Sequence, residues 1–210
     1  MRGLFISVEG IDGAGKSTHI DFISKFLEEK GLPTITTREP GGTPLGEEIR
    51  NLLLHNHSNM HSITELCLMF ASRQELIAKV IEPNLDKGIC VISDRYIDAS
   101  IAYQGYGRQI GSDGLDKIIS LLKPQLTPDI TFLFDAPLEV AYERVSKNGR
   151  KDRIEQEDQE FFMRVQNAYY TIAKNDPTRV KVISTNQLIT DTHIMLSEHL
   201  QLLLKEKCGV

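Results

Sequence analysis

Tryptophan is missing from this 210-residue chain, and its three cysteines, Cys67, Cys90 and Cys208, stand far apart without a CxxC pair. That spacing excludes a disulfide frame and a cysteine zinc site, and it fits buried or free thiols in a reducing compartment. Long apolar runs are missing too: no stretch approaches 18 apolar residues, which excludes a membrane-spanning helix. The opening Met1-Arg2-Gly3-Leu4 runs straight into a strand pattern, without the apolar core or cleavage site of an export signal. The expected location is therefore the cytoplasm. Positive charge is in deficit, with 24 Lys and Arg against 29 Asp and Glu. So acidic a chain has no broad electrostatic grip on nucleic acid or on an anionic membrane, although a phosphate pocket depends only on local charge. No internal repeat, low-complexity tract or linker is present, and the length suits one domain over residues 1–210.

What is there is an alternation. Short runs rich in Val, Ile and Phe fall at about 4–8, 34–37, 89–93, 130–134 and 180–183, as expected of strands buried on both faces. Between them lie helical spacings: Ile20, Ile23, Phe26 and Leu27, closed by Gly31 and Pro33; then Phe161, Val165, Tyr169 and Ile172; and a last helix over roughly 188–205. Ser62-Ile-Thr-Glu65 has capping-box spacing and opens a long helix expected to end near Glu82, just before Pro83. Strands alternating with helices predict an α/β fold: a P-loop NTPase-like three-layer sandwich with a five-stranded parallel sheet flanked by helices. Ligands of such sheets sit beyond the carboxyl ends of the strands.

Gly10-Ile11-Asp12-Gly13-Ala14-Gly15-Lys16-Ser17 matches G-x-x-x-x-G-K-[ST], after a strand and before a helix. The glycines let backbone N–H groups turn inward onto phosphate oxygens, at the positive end of the helix that follows. Residues 10–18, through Thr18, are the expected ATP-binding loop. Lys16 reaches the β and γ phosphates, and the Ser17 hydroxyl is an Mg²⁺ ligand. A guanine-nucleotide switch is disfavoured: N-K-x-D is absent, and the only D-x-x-G lies inside the loop itself.

Three further clusters point to a second anionic substrate. Thr37-Arg38-Glu39-Pro40-Gly41-Gly42-Thr43 forms a turn where the second strand ends, presenting Arg38 at the ligand edge. Asp94-Arg95-Tyr96 follows the third strand; an Asp there holds Mg²⁺ through water or bonds the P-loop hydroxyl, and the Arg forks onto a phosphate. Phe70 and Arg73 share a helix face, an aromatic plane beside a guanidinium, although a lone phenylalanine at that spacing is more often core. Lys147-Asn-Gly-Arg150-Lys-Asp152-Arg153-Ile-Glu155 joins two helical patterns; Asp152 and Glu155 have the spacing to cap the second. Beside a phosphoryl-transfer site such a basic segment, about 147–155, serves as a lid bringing Arg150 and Arg153 onto the transferring phosphoryl. The P-loop has no cation between Gly10 and Gly15, so the lid is the natural source.

Together these motifs resemble the bacterial thymidylate kinase family along nearly the whole chain. The matching pieces are Val8-Glu-Gly-Ile-Asp-Gly-Ala-Gly-Lys-Ser17, Thr37-Arg-Glu-Pro-Gly-Gly-Thr43, Asp94-Arg-Tyr96, Ala102-Tyr-Gln-Gly105 and Asp152-Arg-Ile-Glu-Gln-Glu157. The resemblance implies transfer of the γ-phosphoryl of ATP to dTMP with Mg²⁺, for dTTP synthesis, by a homodimer. By position it implies that Asp12 holds the deoxyribose 3′-hydroxyl and that Arg38 and Arg95 clamp the dTMP phosphate. Phe70 stacks on thymine, Arg73 bonds its O4 edge, Ser100 and Gln104 contact the base, and Tyr103 crowds a ribose 2′-OH. It also implies a cis bond before Pro40, and Gly13 places the chain among members with lid arginines. Lys16, Arg95, Arg150 and Arg153 are then the catalytic cations, with Ser17 and Asp94 at the metal. A nucleoside kinase, the near alternative, needs a general base for an un-ionised 5′-hydroxyl, a role open to Glu39.

Overall fold

A computed structural model describes residues 2–55, 60–122, 124, 126–147 and 152–209. Five parallel strands form one sheet in the order β2-β3-β1-β4-β5. They are β1 (Phe5–Glu9), β2 (Thr34–Arg38), β3 (Cys90–Asp94), β4 (Ile130–Asp135) and β5 (Val180–Ser184), each within a residue or so of its expected place. The central strands β1, β3 and β4 are buried almost throughout, whereas β2 and β5 at the edges are partly exposed. That difference follows from position: a central parallel strand is covered on both faces, an edge strand is not.

The helices cover both faces and divide the core in two. On one side α1 (Lys16–Glu29), α8 (Gln159–Asn175) and α9 (Ile189–Cys208) pack Ile23, Leu27, Val165 and Leu200 against Ile6, Val8 and Phe132. On the other, α2 (Pro44–His55) and α3 (Ser62–Leu76) pack Leu53, Leu66 and Leu76 with Phe5 and Val91. Short helices α4 (Glu82–Asp86), α5 (Ile97–Ser100), α6 (Ser112–Ile119) and α7 (Leu138–Ser146) complete the layers. Cys67 is exposed on α3, Cys90 is buried, and all three cysteines are free. Among the described residues no helix is long and apolar enough to cross a membrane.

Three local expectations are corrected. The long helix does not end before Pro83; it passes through a π segment, Ile77–Ile81, and continues as α4 to Asp86. The side chain of Asn84 donates to the Val80 carbonyl (2.7 Å), satisfying backbone there. Nor does Ser62-x-x-Glu65 form a capping box. His61 is the N-cap, its Nδ1 accepting from Ile63 N, and Glu65 is turned inward and fully buried. Asp152 and Glu155 do bond reciprocally, Asp152 Oδ1 accepting from Glu155 N and Glu155 Oε2 from Asp152 N. They close a turn rather than a helix, and α8 is capped instead by Asp158, which accepts from Phe161 N (2.7 Å).

Leu27 is wholly buried where α1 meets the sheet. Leu27→Ala should lower unfolding stability by about 2–5 kcal/mol, read from the urea midpoint at unchanged m-value.

Candidate active site

The site lies where the carboxyl ends of β1, β2 and β3 meet. β1 delivers the chain into the 10–17 loop, whose glycines Gly10, Gly13 and Gly15 all have positive φ (132°, 82° and 89°). Two of these cannot take a side chain for a second reason. A Cβ on Gly10 would lie 2.4 Å from Phe134 O, and one on Gly13 would lie 2.3 Å from Ala141 O of α7. The loop is thus pressed against α7, and Arg144 of that helix donates to Gly13 O (3.1 Å) and to Thr185 O (3.3 Å). Lys16 is buried and folds back over the loop, donating to the carbonyls of Gly10 (3.2 Å) and Ile11 (3.1 Å). Ser17 and Thr18 stay exposed at the start of α1, while Ile11 and Ala14 turn into the core.

Arg95 ties this loop to the end of β3. Its φ is +71°, a left-handed conformation costing a non-glycine residue about 1–3 kcal/mol. The backbone is held there at both ends: Arg95 N donates to Val8 O (2.9 Å) and Ser93 Oγ donates to Arg95 O (2.7 Å). The guanidinium then donates to Gly10 O (2.7 Å) and Asp12 Oδ1 (2.7 Å) and lies 4.9 Å over the Tyr103 ring. Burial works to raise the Asp12 carboxyl, but Arg95 and Lys16 outweigh it and hold it at about 2.

Beneath Arg95 lies Glu9, fully buried at the end of β1. Its Oε1 accepts from Tyr96 N (2.7 Å) and Ser7 Oγ (3.1 Å), and its Oε2 contacts the Tyr169 hydroxyl (2.8 Å). Burial, then the nearby Asp98, push its carboxyl up to about 8 against the pull of Arg95.

Two clefts open on these residues. The groove above the P-loop is lined by Lys16, Ser17, Arg38, Asp94, Arg144 and Lys147, among others. The second runs between α2, α3 and a π segment, Ile101–Gly107, and is lined by Pro40, Met69, Ala99, Tyr103 and Gln104. Asp12, Glu39, Arg50 and Arg95 line both. The peptide bond Glu39–Pro40 at their junction is cis.

The sequence-expected residues distribute unevenly over this geometry. Asp12, Arg95, Tyr103 and Gln104 meet in the second cleft, and Lys16, Ser17 and Asp94 in the first. Arg38 ends β2 at the mouth of the first, half-exposed and paired with Glu47 (2.9 Å). Phe70, Arg73 and Ser100 are buried behind the walls rather than lining them. Arg73 is wholly buried: Nε and Nη2 bind Glu39 Oε2, Nη2 also donates to Tyr96 O, and its guanidinium lies 4.8 Å over Phe70. Arg73 Nη1, Ser100 Oγ, Gln104 Oε1 and Asp94 Oδ1 are buried without hydrogen-bond partners. Such atoms are rare in a folded protein, and those at or beside the clefts are free to meet a polar ligand. Arg153 lines neither cleft; it donates to Leu53 O and to Glu65. Arg150, with the rest of 148–151, lies outside the described residues.

Arg50 and Glu9 escape the sequence reading as site residues, Glu65 enters it only as a cap, and Arg144 on its helix is open between an adenine contact and a plain surface role. Arg50 sits on α2 and donates to Pro40 O (2.9 Å); in sequence it is one more charged residue on an amphipathic helix. Only the packing of α2 on α3 aims it inward.

A P-loop at the carboxyl edge of a 2-3-1-4-5 parallel sheet, opening on a second polar cleft across two arginines, defines a nucleotide phosphotransferase of the P-loop class. Comparison with known proteins narrows this. The family model for thymidylate kinase matches residues 8–196. A thymidylate kinase of Nitrosomonas europaea is 47% identical over 94% of this chain and 92% of its own. One from Methylobacillus flagellatus is 49% identical over 89% and 91%. The crystal structure of thymidylate kinase from Ehrlichia chaffeensis superposes with a TM-score of 0.79 at 37% identity, covering 96% of this chain and all of that one. The chain belongs to the thymidylate kinase family.

Glu9 gives a pH test. At this carboxyl the folded protein keeps a proton that the unfolded chain releases near the ordinary 4.5, so the Glu9 contribution to stability falls as pH rises from about 4.5 through about 8 and is level outside that window. Glu9→Gln, a neutral isostere, should flatten this slope, so that the variant gains on the parent protein as pH rises. Urea midpoints for both proteins at about pH 5 and about pH 8 check it.

Proposed function

We propose that this chain transfers the γ-phosphoryl of ATP to dTMP, giving ADP and dTDP, as one kinase unit spanning the chain. The observation that carries the reading is the meeting of the two clefts on Asp12, Arg50 and Arg95. A donor phosphate chain on the P-loop and an acceptor phosphate on the arginines then approach along one line, and positioning is most of what this chemistry needs.

The acceptor cleft suits a thymine base in particular. Gln104 Oε1 on the cleft wall and Arg73 Nη1 behind it are a buried acceptor and a buried donor without partners, a match for the N3–H donor and O4 acceptor of thymine. Phe70, also behind the wall, is assigned the aromatic plane, and Tyr103 the space of a ribose 2′-OH. Arg38, Arg50 and Arg95 surround the acceptor phosphate, and Ser100 contacts the base. The attacking phosphate oxygen has a second pKa near 6 and is mostly ionised at neutral pH, so no general base is assigned. Glu39, the base that a nucleoside kinase would need, has Oε2 bound to Arg73 and Oε1 without a partner, so the substrate assay below decides between the two readings.

Mg²⁺ fits between Ser17 and Asp94, which face one groove, because the ion takes one or two protein oxygens beside water and phosphate and Asp94 Oδ1 has no other partner. Bound there, it would neutralise charge on the phosphate oxygens. Lys16 and Arg95 do the same from the protein; Arg150 and Arg153 are assigned to the same task as lid arginines, although Arg153 is held by Leu53 O and Glu65 outside both clefts. Gly13 cannot be replaced by a cation, because any side chain would strike Ala141 O. The family likeness further supports a cytoplasmic homodimer, for which sedimentation should give twice the chain mass.

A coupled ADP-release assay over dTMP, dUMP, UMP, AMP and thymidine should show dTMP strongly preferred. Equal turnover of thymidine, or none of dTMP, would overturn the reading. Measurable dUMP turnover would not, since a methyl group in a pocket discriminates only about 10–200-fold. Arg150→Ala and Arg153→Ala should each cut kcat, together by about a thousandfold, with KM for dTMP nearly kept. An unchanged kcat in both would remove the lid assignment.

A further inference from the structure

Glu65 stands on the first turn of α3, 1% exposed, in none of the clefts, yet it gathers three side chains from distant parts of the chain. Its Oε1 accepts from Gln104 Nε2 (2.8 Å), and its Oε2 from Arg153 Nη2 (2.7 Å). Arg108 Nε lies 3.2 Å from both oxygens, and Arg108 also pairs with Glu157. Two carboxylates and two guanidiniums thus balance in one buried cluster, built from α3, the π segment and both ends of Arg153-Ile-Glu-Gln-Glu157. Burial works to raise the Glu65 carboxyl, but Gln104 and the arginines prevail and lower it, so the group stays charged.

A carboxylate accepts and cannot donate. The Gln104 amide must therefore turn its NH₂ toward Glu65, and its Oε1 is left facing away, buried and unpartnered. The same carboxylate holds Arg153, which Leu53 O grips from the other side (2.7 Å). We propose that Glu65 is a positioning residue with two outputs: it locks Gln104 as an acceptor, which sets the choice of base, and it fixes the direction of Arg153, on which kcat depends. The inference rests on the dTMP kinase reading, but its test separates the two: failure of the unmodified protein to phosphorylate dTMP would count against that reading alone.

The variant is Glu65→Gln, of nearly equal size, whose side chain both donates and accepts. Gln104 is then free to turn over and present its NH₂, which matches the bare N3 of cytosine. Arg153 loses its anionic partner. The ratio of kcat/KM for dTMP over dCMP should fall by about tenfold, the worth of one hydrogen bond to a charged group. Both substrates are measured on one preparation, so a smaller folded fraction cancels from the ratio. KM for dTMP should rise and kcat should fall, by about tenfold each. Repeated in an Arg153→Ala background, the substitution should lose its effect on kcat and keep its effect on KM, because the output through Arg153 has already been removed. An unchanged dTMP-to-dCMP ratio, or a fall in kcat that multiplies fully with that of Arg153→Ala, would overturn the proposal.

Discussion

The bond pair from Arg95 to Gly10 O and Asp12 Oδ1 joins the end of β3 to the loop after β1, and most of the site is arranged around it. The register of the two strands, Val8 beside Asp94, brings Arg95 N onto Val8 O, and Ser93 Oγ holds the other end of the residue. With the backbone pinned in a left-handed conformation, the guanidinium has one direction to take, across the P-loop and over Tyr103. The cost of that conformation is offset by four hydrogen bonds within the strand ends and the loop, two of them from a charged donor. Glu9 below completes the arrangement. Held neutral by burial, it receives Tyr96 N without setting a second negative charge beside Asp12.

Charge elsewhere in the interior follows the same logic. Arg73 is paired with Glu39, Glu65 with Arg108 and Arg153, and Asp98 with Arg179 (2.6 Å), which also contacts Thr131. Buried pairs add little net stability, because desolvation cancels most of their attraction. Their effect is on direction. Each fixes one face of a side chain and leaves a defined remainder, such as Arg73 Nη1 or Gln104 Oε1, turned elsewhere. An acceptor cleft with preset donors and acceptors needs little reorganisation when a substrate enters.

Much of this was legible in the chain. Five Val- and Ile-rich runs read as strands within about a residue, because burial on both faces demands continuous apolar sequence. The P-loop and the Thr37–Thr43 turn read as sites because glycine at fixed spacing has few other uses. Arg95 and Asp12 were visible through their motifs. Arg50 was not, since a charge on an amphipathic helix ordinarily faces water and nothing local marks the exception. Glu65 was misread as a cap for a related reason: an acid three residues after Ser62 suits a capping box, and only the approach of Gln104, Arg108 and Arg153 draws it inward. Pro83 was read as a helix stop, but a π segment upstream and the Asn84 side chain carry the helix past it.

Local periodicity and short motifs were enough for the parallel α/β architecture, the phosphate loop and the family, since few residues can meet the backbone demands of those motifs. Tertiary structure alone decided which charges face the clefts and which are locked behind them. Arg153 is the clearest instance: its motif marks it as a lid cation, yet its guanidinium is held by Leu53 O and by Glu65, which lies 88 residues earlier in the chain. Direction of that kind comes from partners brought together by folding, and no local spacing encodes it.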